Sequence, residues 1–434
     1  MKPYLKYEDS GIEWIGEIPE HWEVTKLKYS DKVIMGQSPN SDDYNDTNEG
    51  LPFLQGNADF KTLFPKPKVW CETANKIAEK EDVLLSVRAP IGAVNIADQS
   101  YGIGRGLCAI RSKKSLAKLL FYLALSLSDE LNSIGTGSTY TAVSIDDIAN
   151  VFIPNIPPIE QQTIANYLDH KTHQIDTLIE KKQKLIDILK EQRLAIINHA
   201  VTKGLNPNVK LKDSGIEWLG EIPEHWEVKR LKYIANVQFS NVDKKSYENE
   251  EDVFLCNYLD VYNNEFINSK IGFMKATALP REIEKFTIKY GDVLTTKDSE
   301  TPDDIANAAL VTEDFNNVLC GYHLTHIRPD RRFLLGEYLF RLFYAKKFND
   351  QFAVSANGIT RYGLSTHSFN SSYISLPSIN EQNQIAEYLD KIAKEIDISI
   401  GNHIKSIKLL KEYRTALISE AVTGKIDVRE EVSV

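Results

Sequence analysis

Glu13, Glu17 and His21 recur in the chain as Glu217, Glu221 and His225, acids and an imidazole spaced by four residues. On a helix that spacing would set three side chains on one face, as a metal site or an acid–base group requires. Pro19 and Pro223 break the helix that the spacing needs, so the chemistry does not assemble there. His170 with His173, and His323 with His326, are pairs of imidazoles without a convergent third ligand, and they read as surface or ligand-facing residues, nucleic acid included. Cys71, Cys108, Cys256 and Cys320 show no C-x-x-C spacing and read as buried thiols. The Asn/Asp-Pro-Pro-aromatic motif of a methyltransferase is missing, since the Pro-Pro of NIPPIE has no aromatic after it. GIGRG at Gly102 is not G-x-G-x-x-G, and neither Pro302-Asp303 nor Pro329-Asp330 is followed by an acidic-x-Lys nuclease pattern. These residues predict a chain that is not an enzyme and holds no metal or cofactor of its own.

The elements around them are duplicated. DSGIEWIGEIPEHWEV from Asp9 returns as DSGIEWLGEIPEHWEV from Asp213, with Trp14, Ile18, Pro19 and Trp22 forming an apolar clasp. IANYLDHKTHQIDTLIEKKQKLIDILKEQRLAIINHAVTKGL from Ile164 matches IAEYLDKIAKEIDISIGNHIKSIKLLKEYRTALISEAVTGKI from Ile385. Both stretches carry an apolar stripe at 3–4 spacing, begin near a proline and close on Gly204 and Gly424, which predicts two long helices. About 40 residues at 1.5 Å each make a rod of roughly 60 Å, and two such rods most simply pack as an antiparallel pair. The interface residues of that pair are predicted to be Leu168, Ile175, Leu178, Leu185, Leu189 and Ile196 on the first helix, with Leu389, Ile396, Ile407, Leu410 and Leu417 on the second. Two separate amphipathic helices, each covering its own domain, are the alternative.

Between box and helix the halves share a frame. DVLLSV at Asp82 faces DVLTTK at Asp292, GRGLCAIR at Gly104 faces GYHLTHIR at Gly321, and GSTYTAVS at Gly137 faces GITRYGLS at Gly358. Apolar and glycine positions agree while polar ones are exchanged: Arg105 for Tyr322, Gly106 for His323, Tyr140 for Arg361. Glycines and β-branched residues in alternation predict β-rich domains, with helices near 115–132 and 334–352. The net charge of −10 does not exclude a nucleic-acid partner, because the two boxes alone carry −9 (residues 1–24, 2 basic and 6 acidic; residues 213–228, 0 and 5). The stretches between are nearly balanced and can present a basic face. The N-terminus has no apolar signal core and LLFYLALSL at Leu119 is too short to span a bilayer, so a cytoplasmic location is expected.

GIEWLGEIPEHWEV, SVRAPIGAVNI, YGIGRGL, TKDSETPDDI, CGYHL and the two IA-YLD helices resemble the specificity subunit of type I restriction-modification systems across essentially the whole chain. The first helix departs from the pattern at Lys171 and Lys182, which stand where its stripe should be apolar. The resemblance implies an α+β fold of two tandem β-rich target recognition domains separated by two long antiparallel coiled-coil helices, in a pseudo-two-fold internal repeat. Its boundaries would be 1–155 for the first domain, 156–205 for the first helix, 206–375 for the second domain and 376–426 for the second helix, with 427–434 as a tail. Each domain would read one part of a bipartite, asymmetric site in double-stranded DNA of a bacterial or archaeal cell. The helices would dock two methyltransferase subunits, with restriction subunits joining that core. S-adenosylmethionine, ATP and Mg would then belong to the partners. The exchanged positions are the candidates for contact with DNA, since Arg, Lys, Asn and Gln read base edges while hydroxyls also take phosphates. They are Arg88, Asn95, Arg105, Ser138, Thr139 and Tyr140 in the first domain, and Lys297, Asp298, Ser299, Tyr322, His323, Thr360, Arg361 and Tyr362 in the second. A non-catalytic assembly scaffold with tandem repeats and no sequence-specific reading is the rival class.

Overall fold

Val83, Leu84 and Leu85 are all fully buried, although a strand turns alternate side chains to opposite faces. The strand therefore has an apolar layer on each side. The computed structural model, which describes residues 2–135 and 142–430, shows why. The chain falls into two units, residues 1–183 with 404–434 and residues 184–403. In the first, β1 (Lys32–Met35), β2 (Leu51–Leu54), β3 (Val83–Ser86), β4 (Val94–Ile96), β5 (Tyr101–Ile103) and β6 (Leu107–Arg111) build two sheets. One has the order β4-β3-β6-β1, while β2 and β5 run parallel in the other. Val83, Leu85, Cys108 and Ile110 join a core with the helix Ala117–Ser126 and the long helices. Leu84, Leu107 and Ala109 join a second core with Leu54 and Ile103 from the other sheet.

The second unit repeats this plan. Its strands are β7 (Ala235–Phe239), β8 (Glu251–Cys256), β9 (Val293–Thr296), β10 (Ala308–Val311), β11 (Val318–Cys320) and β12 (Leu324–Pro329). The order β10-β9-β12-β7 matches β4-β3-β6-β1, and β8 runs parallel to β11 as β2 does to β5. Val293 and Ile327 face the helical core and Leu294 and Leu324 the other. The helices predicted near 115–132 and 334–352 form as Ala117–Ser126 with Ser128–Ile134, and as Gly336–Phe343 with Lys346–Ser355. The four cysteines are buried and free, and burial pushes the Cys108 thiol up to about 12.

The two long helices are α1 (Pro158–Lys203) and α2 (Ile379–Val422), and each contributes half its length to each unit. Within the first unit the start of α1 and the end of α2 meet at the first box, so the two run antiparallel there. Ile164, Leu168 and Ile175 share one core with Leu417, Ile418 and Ala421. In the second unit the start of α2 and the end of α1 meet at the second box, with Ile385 and Leu389 against Ile197, Ala200 and Val201. The buried stripe steps by 7 and then by 11 residues: Leu168, Ile175, Ile186 and Ile197 are buried on α1, and Leu389, Ile396, Leu417 and Ile418 are buried on α2. Leu189, Ile196, Ile407 and Leu410 are half-buried along the same stripe. Leu178 and Leu185 are corrected: they are 43% and 40% exposed, and the neighbouring Ile179 and Ile186 turn inward. A 3.6-residue turn carries an uninterrupted apolar pair past the seam by one position, and Lys182 concealed which member of each pair lies on it.

The repeated box is a joint. Ile15, Ile18 and Trp22 are buried, and the Trp14 indole donates to the Phe152 carbonyl at 3.2 Å. Glu160, in the first turn of α1, is 6% exposed and takes the Tyr4 hydroxyl at 2.9 Å, the Trp22 indole at 3.3 Å and the His21 imidazole at 2.6 Å. In the second unit Glu381 takes His225 at 2.9 Å, while Trp226 is fully buried with its indole nitrogen unpaired. The neighbouring glutamines repeat as well: Gln161 accepts from the Leu116 N–H at 2.7 Å, and Gln382 from the Leu335 N–H at 2.9 Å.

Gly424 and Gly204 end the helices with φ of 73° and 75°, where L side chains are strained. A Cβ on Gly424 would lie 2.4 Å from Pro19 Cδ and 2.8 Å from Trp22 Cζ3, whereas one on Gly204 would lie no closer than 3.3 Å, to Trp226 Cζ2. Gly424→Ala is expected to destabilise the first unit by about 2–4 kcal/mol, from backbone strain of about 1 plus overpacking of about 1–3. Gly204→Ala should cost only about 1 kcal/mol. Denaturant unfolding of both variants is the measurement, and equal costs would show that the first clasp is not the tighter one.

Candidate nucleic-acid interface

The polar positions that differ between the halves gather at one end of each sheet, where the central strands run out into loops. In the first unit Ser86 pairs with Leu107, and the Val87 N–H continues the ladder to the Gly106 carbonyl at 2.9 Å. This places Arg88 and Arg105 at the same end of the sheet, both exposed. The Arg105 N–H donates to Ser38 Oγ at 3.1 Å, and Ser38 bonds the Gln55 side chain at 2.9 Å. The Tyr44 hydroxyl donates to Gln55 Oε1 at 3.3 Å, and its ring stacks on Phe53 at 5.1 Å. Ser38, Tyr44 and Gln55 therefore belong to this surface, though the sequence comparison passed over them. Gln55 follows β2 where Asn257 follows β8, an exchanged amide in equivalent places.

Asn95 is corrected. It is fully buried and bonds the Lys61 N–H at 3.1 Å, the Lys61 carbonyl at 2.8 Å and the Val94 carbonyl at 2.9 Å, so it pins a loop and faces no ligand. Ser138, Thr139 and Tyr140 lie outside the described residues.

The second unit is more densely networked. Asp298 accepts from His323 Nδ1 at 2.7 Å through one oxygen and from Arg361 through the other. The short pairing of Asp298–Ser299 with Tyr362–Gly363 brings the two loops together. The Lys297 ammonium lies 4.9 Å from the Phe239 ring centre and 4.7 Å from that of Tyr322. Burial there lowers its pKa, against the pull of the Asp298 charge. Tyr322 meets His323 edge-on at 4.7 Å and remains half exposed. Thr360 and Arg361 are exposed and border a cleft with Tyr258, Tyr262 and Asp304. Tyr258 stacks on Tyr262 at 5.7 Å, and the Tyr262 hydroxyl donates to Asp304 at 2.9 Å. That aromatic pair at i, i+4, directly after a strand, was the available signal in the sequence.

Ser299 is also corrected: it is 7% exposed and its Oγ lies against the Thr301 N–H. His326 belongs to the core and not to the surface. With Arg328 it binds Asp292, and although burial raises the Asp292 carboxyl, these two partners hold it below its ordinary range. Among the described residues no three His, Cys, Asp or Glu side chains converge as a metal site. Nor, among them, is any helix long and apolar enough to cross a membrane.

Guanidinium forks, side-chain amides and hydroxyls are the side-chain types that contact base edges and sugar–phosphate in protein–DNA complexes generally. Comparison with known proteins points the same way. The family model for the type I restriction modification DNA specificity domain matches residues 19–187 and 223–409. The MjaX type I restriction enzyme specificity subunit of Methanocaldococcus jannaschii is 41% identical over 43% of this chain and 44% of its own length. The MjaIX specificity subunit of the same organism is 27% identical over 96% of both chains. A chain solved in work on complex assembly of the type I R-M system covers 94% of this chain and 99% of its own, with a TM-score of 0.72 at 16% identity, and so shares the fold.

Asn95→Ala is expected to cost about 1–3 kcal/mol, because it removes the hydrogen bonds that a fully buried amide makes to the Lys61 and Val94 backbone. It should leave DNA preference unchanged. Arg105→Ala should do the reverse, with an unchanged unfolding midpoint and weakened DNA retention. Thermal unfolding and duplex binding of the two variants are the test, and a loss of DNA preference in Asn95→Ala would reverse the assignment.

Proposed function

We infer the function from one premise: the chain belongs to the type I restriction modification DNA specificity domain family, two copies of which cover most of its length. It is the DNA sequence-specificity subunit of a type I restriction-modification system. Each unit reads one part of a split, asymmetric site in double-stranded DNA, and the carrying observation is that the buried frame is the same in both units while the exposed polar groups differ. The chain performs no catalysis itself. It docks two methyltransferase subunits through the paired helices and the boxes, and restriction subunits join that core. S-adenosylmethionine, ATP and Mg are used on those partners, in the cytoplasm of the cell. Supporting this is the economy of the joint, since Glu160 and Glu381 hold two nearly identical boxes and would give two copies of one partner equivalent seats.

Replacing residues 25–155 with the same segment of a relative is expected to change one half of the methylated motif and leave the other intact, as read by methylome sequencing of cells expressing the partners. A change in both halves would overturn modular reading. Leu185→Pro in α1, or Leu410→Pro in α2, should abolish co-purification of the methyltransferase subunits, since an interior proline costs about 3 kcal/mol or more. An intact complex would show that the helices are not the docking element.

A further inference from the structure

One backbone position carries opposite charges in the two units. Arg88 lies two residues beyond β3 and bridges Ala142; Asp298 lies two residues beyond β9 and bridges Gly363. The next hydrogen bond is also equivalent, from the Val143 N–H to the Val87 carbonyl at 3.0 Å and from the Leu364 N–H to the Lys297 carbonyl at 2.8 Å. A carboxylate at this end of the sheet would repel DNA phosphates if it stood alone. Asp298 does not, because its side chain is only 14% exposed and both of its oxygens are occupied.

Its partners are thereby given defined faces. A carboxylate only accepts hydrogen bonds, so His323 must donate from Nδ1, and in the tautomer that carries this one proton Nε2 is the acceptor. Arg361 reaches Asp298 through one Nη2 proton, which leaves the second Nη2 proton, together with Nη1 or Nε, as a two-donor edge for another group; its side chain is 59% exposed. Two donors beside one acceptor, gathered around a single carboxylate, complement the edge of one base pair. In the major groove G·C offers two acceptors, guanine N7 and O6, followed by the cytosine N4 donor, whereas A·T offers acceptor, donor, acceptor.

Resting on the reading of the second unit as a DNA-recognition domain, we propose that Arg361 and His323 read one G·C pair, with Asp298 as the positioning residue that orients both. Asp298 makes no DNA contact. Tyr322, edge-on to His323 and covered by Lys297, walls the imidazole on its other side. The first unit has Arg88 in the place of Asp298 and so reads its half-site by a different set of groups.

The test uses the full chain with its modification partner. Methylome sequencing defines the motif, and competition binding compares the cognate duplex with one whose G·C pair in the second half is replaced by A·T. The wild-type second half should contain a G·C pair, and discrimination at it should fall on the order of tenfold or more in Arg361→Ala, His323→Ala and Asp298→Asn. Asp298→Glu, which keeps a carboxylate, should recover part of it. The first half-site and the other bases of the second should be read as before, which also serves as the control for folding. A second half-site without G·C, or a uniform loss of affinity for cognate and substituted duplexes in Arg361→Ala, would overturn the assignment. Exchange of residues 206–375 separates the two levels. If that exchange leaves the second half of the motif unchanged, the unit is not the reader at all; if it changes the motif but the point variants do not, only the Arg361–His323 assignment fails.

Discussion

A Glu–Gln dipeptide in the first turn of each long helix is the constraint on which both units depend. Glu160 and Glu381 sit where the positive end of the helix dipole favours a carboxylate, and both bind the histidine of a box. Gln161 and Gln382 sit one residue on, each accepting from the backbone N–H that opens a helix of its recognition domain and donating to the carbonyl of Ile156 or Pro377 just before its own helix. Two adjacent side chains thus join three elements: box, domain and stalk. Glu160, Gln161 and Gln382 are buried, so losing any of them would strand polar groups that have no water to turn to, whereas Glu381 is half-buried. That explains why the box tolerates so little change between its copies.

Beyond the joint, variation is confined to where burial ends. β3 and β9 lie between two apolar layers, and a change there is felt on both faces. Their loops carry no such restriction, so Arg88 and Asp298 can occupy one backbone position with opposite charge. A bare scaffold would have no use for this difference, whereas two readers of unlike half-sites require it. The clamps between domain and stalk vary too. Asp169 takes the Tyr122 hydroxyl at 2.8 Å, while the equivalent Asp390 takes the fully buried Arg341, which also reaches Glu265.

Much of this was legible in the sequence because it rests on repetition. A duplicated box, a duplicated helix and a shared frame of glycines and apolar residues survive in the chain as written, and they accompany a four-strand order common to both units, to which the second unit adds Phe266–Ile267 beside β10. What was not legible depends on distant partners. Asn95 has the side chain of a base reader, but the loop at Lys61 encloses it. Gln55 does not stand out in the sequence because the hydroxyls that hold it, Ser38 and Tyr44, come from other segments. Glu160 and Gln161 were visible only as part of a helix start, since their partners lie on the far side of the domain sequence.

The stalk shows how a polar residue can state what apolar ones leave open. Runs such as Leu178-Ile179 and Leu185-Ile186 allow two neighbouring seams, and nothing in hydrophobicity alone chooses between them. Arg193 and Arg414 occupy equivalent seam positions, and each pairs across the helices with an equivalent acid: Arg414 with Asp176 at 2.9 Å, Arg193 with Asp397 at 3.8 Å. Sliding either helix by one residue would separate these pairs: the Arg414 guanidinium, 25% exposed, would lose its acid, and Arg193, 19% exposed, would keep only Glu265 of its recognition domain. The register that turns Ile179 and Ile186 inward is also the one that pairs both arginines across the helices, and the energetic value of these ion pairs lies less in their own strength than in the alternative they exclude.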